Sequence, residues 1–189
     1  MRTKTNPELV IFTGPMFSSK TTRLLDILDR STYQKKKSAL FKASMDNRYS
    51  TSVVCTHSGT KMEGIAIDSG SSLLEFLSQS EEIYDTIAVD EAFMIEGISD
   101  VLIWLFKKGV SIYVSSLALS YSATVFNEMS VLLPWATRVE VCSAVCTTCG
   151  ADAFYTHKKR DDGKMISVGG EDMYEPRCWS HHLVSEQDD

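Results

Sequence analysis

Three groups of residues have types and spacings that could do chemistry. The first is Gly14-Pro15-Met16-Phe17-Ser18-Ser19-Lys20-Thr21. A phosphate-binding loop asks for Gly, four residues, Gly, Lys, then Ser or Thr. The segment has the first Gly, the Lys and the Thr, with Ser19 where the second Gly is expected. A tight turn of this kind aims backbone N–H groups at phosphate oxygens, and the N-terminus of the following helix adds about half a positive charge. Lys20 is positioned to reach the β- and γ-phosphates of ATP, and Thr21 to ligate Mg²⁺. Ser19 puts a Cβ where the pattern has none, so either the loop angles suit an L-residue or nucleotide binding is weakened. The plain alternative is a strand–turn–helix with an exposed Lys.

The second group is Asp90-Glu91, which ends the apolar run Thr86-Ile87-Ala88-Val89. An acid at such a strand end can orient Mg²⁺, and a second carboxylate can take a proton from a hydroxyl that attacks a γ-phosphate. The third is Cys146-Thr147-Thr148-Cys149 and, after 28 intervening residues, Cys178-Trp179-Ser180-His181. Two C-x2-C/H pairs turn four N/S ligands toward one ion, the set Zn²⁺ requires. Four protein ligands leave no open position, so this is a structural site. His182 is adjacent and could serve in place of His181. Cys55 and Cys142 read as small apolar packing residues, and His57 and His157 as ordinary polar ones.

These groups need elements to hold them. Leu9 to Thr13 reads as a buried strand, and Lys20 to about Lys37 as a helix with a Leu24, Leu25, Leu28 stripe. Ser38 to Ala43, Met62 to Ile67, Thr86 to Val89 and Val110 to Ser115 read as strands. Ser71 to Ser78 and Ile98 to Lys108 read as helices, and Ser44 to Lys61 as a polar stretch. The alternation indicates a parallel sheet with helices on its faces, and ligands of such sheets sit at the C-terminal strand ends. After about Arg138 short strand-like pieces, Gly pairs and Cys/His residues take over. The expected fold is α/β: a phosphate-loop parallel sheet with flanking helices (residues 9–140), then a small C-terminal zinc-binding β lobe (141–184), with polar tails at 1–8 and 185–189.

Composition narrows the function classes. A hydrophobic content of 43% argues against disorder. The longest apolar run, Val101 to Phe106, has six residues, far short of the ~20 needed to span a membrane. No secretion signal is visible, and an odd five cysteines argue for reduced thiols or metal, hence a cytoplasmic protein. A net charge of −6 argues against a nucleic acid polymer as partner, although a small phosphate ligand needs only local groups. A zinc ribbon that binds nucleic acid is disfavoured on the same ground, since Lys35-Lys36-Lys37 and Lys158-Lys159-Arg160 are its only basic runs.

With these residues in hand, the chain resembles the zinc-containing type II thymidine kinases from about Leu9 to His182. The likeness is carried by the phosphate loop, Asp46-Asn47-Arg48-Tyr49-Ser50, Thr56-His57-Ser58-Gly59, Val89-Asp90-Glu91-Ala92, Val168-Gly169-Gly170 and the segments around Cys146–Gly150 and Tyr174–His182. It implies transfer of the ATP γ-phosphate to the 5′-hydroxyl of thymidine, deoxyuridine or a 5-substituted analogue. Glu91 would be the base, with Asp46 and Arg48 near the transfer end. Gly14 to Thr21 and Asp90 would bind ATP–Mg²⁺. Met16, Tyr121, Phe126, Thr156, Val168, Gly169 and Tyr174 would bind the nucleoside, partly through the backbone of a wrapping loop whose ends the zinc lobe anchors. A homotetramer is also implied. The aromatic pocket residues could equally be core. Three departures stand out: Ser19 for Gly, Phe93 and Met94 for a Gln-aromatic pair, and Ser116-Leu117-Ala118 for Gly-Leu-Asp. The alternative is a nucleotide-binding regulatory module on the same scaffold, its catalysis weakened or lost through Ser19.

Overall fold

The computed structural model describes residues 6–46, 53–55, 59–160, 163, 166 and 168–182. Arg48, Tyr49, Ser50 and His57 lie outside the described residues. Apolar residues at period 2 build the strands. In β1 (Leu9–Thr13), Leu9 and Ile11 enter one core and Val10 and Phe12 the other. A strand buried on both faces needs helices on both, and the sequence supplies them. The first helix, α1 (Lys20–Tyr33), lays Leu24, Leu25 and Leu28 over Val10, Phe12, Leu40 and Ala88. It ends at Tyr33, one turn before the expected Lys37; Gln34 closes it and Lys35 takes a left-handed backbone (φ 55°) that no α-helix continues.

β2 (Ser38–Ala43) follows, then β3 (Val53–Cys55), β4 (Lys61–Glu63) and β5 (Ile65–Ile67). The single strand expected over Met62 to Ile67 is divided at Gly64. Before it, β4 pairs antiparallel with β3; after it, β5 joins β2 in parallel. A Cβ at Gly64 would crowd Val54, so the close crossing uses glycine. α2 (Gly70–Gln79), β6 (Thr86–Asp90), α3 (Ile98–Lys107), β7 (Ser111–Ser116), α4 (Asn127–Leu132) and β8 (Arg138–Val141) complete the larger unit. The sheet order is β5-β2-β6-β7-β1-β8, and every pairing is parallel. α2, α3 and α4 pack on the face opposite α1 around Leu73, Ile98, Leu102 and Met129. α4 and β8 were not legible in the sequence: six-residue α4 is too short to show a period, and β8 carries exposed valines. Among the described residues no helix is long and apolar enough to cross a membrane.

Beyond β8 come small antiparallel pairs: β9 (Ala144–Val145) with β10 (Asp152–Ala153), and β11 (Tyr155–Lys158) with β12 (Tyr174–Arg177). Because every strand of the main sheet runs the same way, the loops after β1, β2, β6 and β7 gather at one edge. Thr13, Ala43, Asp90 and Ser116 open those loops.

One buried carboxylate ties the opposite helical layer together. Glu128 on α4 accepts the Gly97 N–H at 3.0 Å and the Ser99 N–H at 2.8 Å, capping the start of α3. Glu128→Ala is expected to leave both amides without acceptors and to lower stability by about 2 kcal/mol. Urea unfolding with an unchanged midpoint would contradict this.

Candidate functional site

The phosphate loop leaves β1 at Thr13 and enters α1 at Lys20. Gly14 must be glycine: its φ is 148°, and a Cβ would overlap the carbonyl oxygen of Cys142 just beyond β8. The Ser18 hydroxyl donates to the Pro15 carbonyl at 2.8 Å, and the Lys20 ammonium to the same carbonyl at 2.6 Å. Lys20 is thus curled into its own loop, buried, where phosphate oxygens could compete for it. Ser19 is exposed with φ 59°, and Phe17 has φ 65°. The left-handed region costs an L-residue roughly 1 kcal/mol. Of the two outcomes left open for Ser19, the structure gives the first one no support: the position has the angles glycine prefers. α1 begins without a side-chain cap, so its first-turn N–H groups remain for an anion.

The acid pair stands two strands away. The Thr21 hydroxyl donates to Asp90 Oδ1 at 3.1 Å and to Oδ2 at 3.3 Å, joining the start of α1 to the end of β6. Burial first, and then the charge of neighbouring Glu91, pushes the Asp90 carboxyl up to about 7; Thr21 pulls it back and the Asp46 carboxylate adds a further push. Asp46 is itself buried, at 5% exposure. The Thr21 hydroxyl and the Asp90 carboxylate, both oxygen donors, meet beside the phosphate loop and are of the type a divalent cation takes. Glu91 is left-handed too, at φ 52°.

Glu91 also lines a second feature, a cleft enclosing about 450 Å³ with its mouth included. All seven residues expected to bind a nucleoside line it: Met16, Tyr121, Phe126, Thr156, Val168, Gly169 and Tyr174. They arrive from five separate places: the phosphate loop, the segment after β7, β11, the loop before β12, and β12 itself. Phe93, Met94, Leu117, Ser120 and Ile166 complete the lining. Phe93 and Phe126 rings pack with centroids 4.5 Å apart, so a departure from the expected sequence pattern forms a wall of the cleft. Its backbone N–H donates to the Ser116 hydroxyl, another departure, at 3.1 Å. Lys158 holds its ammonium 4.8 Å from the centre of the Tyr121 ring. Ser120 and Ile166 carried no pattern of their own; Ile166 is legible only through its alternation with Val168.

The metal cluster assembles as spaced. The ligand atoms of Cys146, Cys149, Cys178 and His181 lie within 4.8 Å of one another. Cys149 and Cys178 sulfurs are 3.7 Å apart, and His181 Nδ1 is 3.1 Å from the Cys178 sulfur and 3.9 Å from that of Cys146. Zn–S bonds of 2.3 Å in a tetrahedron give edges of about 3.7 Å, so the cluster fits structural zinc. His182 is excluded: it is buried with its ring stacked on Tyr155, centroids 4.9 Å apart. Burial opposes ionisation of Cys146, but the amides of Cys178, Thr148 and Cys149 pull its thiol down to about 5, toward the thiolate a metal needs.

Fold and site together define an α/β protein with a phosphate-loop turn, an apolar cleft at the sheet edge and a small β lobe carrying a Cys3His cluster. The family model for thymidine kinase matches residues 7–182. A thymidine kinase of Thermococcus kodakarensis is 34% identical over 188 residues, 95% of each chain. One of Deinococcus radiodurans is 33% identical over 181 residues, covering 88% of this chain and 85% of its own. One of Bacteroides fragilis is 29% identical over 188 residues, covering 99% and 92%. The chain belongs to the thymidine kinase family.

Two outcomes follow from this geometry. Ser19→Gly is expected to relieve the left-handed strain and stabilise the protein by up to about 1 kcal/mol, read as a rise in Tm; a lower Tm would show that Ser19 contributes contacts outweighing its angle. Cys149→Ser is expected to lose stoichiometric zinc by elemental analysis and to lower Tm by roughly 5 °C or more. Full zinc retention would assign the ligands elsewhere.

Proposed function

We propose that this protein transfers the γ-phosphate of ATP to the 5′-hydroxyl of thymidine, and of deoxyuridine or 5-substituted relatives, giving the monophosphate and ADP. The observation that carries the reading is the position of two consecutive acids at one strand end. Asp90 is hydrogen-bonded to the start of the phosphate-loop helix, while Glu91 lines the apolar cleft. One peptide unit thus spans donor and acceptor sites.

In the proposed reaction the nucleoside base occupies the cleft, between aromatic and aliphatic walls that suit a flat ring. The 5′-hydroxyl lies toward Glu91. Its oxygen attacks the γ-phosphorus, the bond to the β–γ bridging oxygen breaks, and ADP departs. The hydroxyl proton passes to the Glu91 carboxylate. Lys20 leaves the Pro15 carbonyl and the Ser18 hydroxyl for the phosphate oxygens, and the first-turn N–H groups of α1 cradle them. Thr21 and Asp90 would hold Mg²⁺, which supplies charge neutralisation on the phosphates when bound. Arg48 and Asp46 are proposed at the transfer end, where a guanidinium would stabilise charge on the transferred group. The zinc lobe acts structurally, fixing both ends of the loop that covers the base. The proposal includes a cytoplasmic setting, consistent with free thiols at all five cysteines, and a homotetrameric assembly.

Glu91→Gln keeps the shape and removes the base. Turnover is expected to fall about 10²-fold or more, the usual size of a positioned-base effect, with ATP binding near wild type. Equal turnover in the variant would remove Glu91 from the mechanism.

A further inference from the structure

The phosphate loop is strained, and part of it borders open space. Phe17 and Ser19 both occupy the left-handed region. Thr13, Gly14 and Pro15 border a second cleft of about 610 Å³, mouth included, which Phe154, Tyr155 and Thr156 also line. A loop with open space behind it needs a tie to keep its N–H groups aimed inward. Thr156 supplies one. It is 5% exposed, lines both clefts, and its hydroxyl accepts the Met16 N–H at 3.1 Å.

That bond fixes the direction of the Met16 amide. The next residue is left-handed Phe17, so fixing the Met16 peptide fixes where the chain reverses and where the amides leading to Lys20 point. Thr156 is itself held by the metal lobe. On β11 it faces Pro176 of β12 in register, the Pro176 carbonyl accepts the Thr147 N–H at 3.2 Å, and Cys178 follows two residues on. A continuous path of backbone pairing runs from the cluster to the phosphate loop.

We infer that Thr156 is a positioning residue that couples the metal-anchored nucleoside lobe to the phosphate loop, so that donor-phosphate affinity depends on its hydroxyl. The inference rests on the kinase reading above, and goes beyond it by giving the acceptor lobe control over the donor site.

The test is calorimetric titration of the zinc-loaded full chain with ADP and Mg²⁺, and separately with thymidine. Thr156→Val is expected to weaken ADP binding to the nucleoside-free protein by about tenfold. Thr156→Ser, which keeps the acceptor, is expected to bind ADP within about twofold of wild type. Zinc content per chain identical in all three proteins separates this effect from damage to the lobe. ADP binding unchanged by Thr156→Val, or weakened equally by Thr156→Ser, overturns the coupling. A wild-type protein that binds thymidine but no ADP overturns the kinase reading, and the coupling with it.

Discussion

The hydrogen bond from Thr21 to Asp90 is the contact on which the rest of the site depends. It bridges the first residues of α1 and the last of β6, two elements separated in the sheet by β7. Asp90 is buried, and that burial first, then the charge of Glu91 with a further push from Asp46, raises its carboxyl to about 7. An isolated protein gains nothing from such an arrangement, because desolvating like charges is unfavourable. The curled Lys20 and the buried Asp90 carboxylate thus face each other across the start of α1, joined through Thr21. The strained backbone at Phe17, Ser19 and Glu91 belongs to the same pattern, in which local cost is concentrated at the working edge and met by the packed sheet behind it.

Parallel strand direction explains why these groups meet. Each strand delivers its C-terminal residues to the same edge, so four segments distant in sequence become neighbours. The cleft uses this edge for one wall and the small lobe for the other. Met16 and Phe126 come from the sheet unit, while Thr156, Val168, Gly169 and Tyr174 come from the lobe. Cys146, Cys149, Cys178 and His181 converge at a single point in that lobe.

Much of this was legible in the sequence because each motif carries its own constraint. The phosphate loop, the acid pair and the paired Cys/His spacings are local patterns with one geometric solution each. The strands of the main sheet were legible because burial on both faces makes them continuous apolar runs. What escaped were features fixed by tertiary contact. β8 presents exposed Val139 and Val141 and is held by pairing with β1, so no apolar run announces it. α4 is short and owes its place to Phe126, Met129 and Glu128. The choice between His181 and His182 turned on a stacking partner, Tyr155, that spacing could not reveal. The left-handed angle of Ser19 was posed by the sequence as a question and answered only by the backbone.

The central claim is that two adjacent acids serve a donor and an acceptor site at once. The most direct measurement is product analysis by mass spectrometry after incubating the zinc-loaded protein with ATP, Mg²⁺ and thymidine. Thymidine 5′-monophosphate and ADP formed in equal amounts is the result this account predicts. Thymidine left unchanged, by a folded protein that still binds ATP, would contradict it.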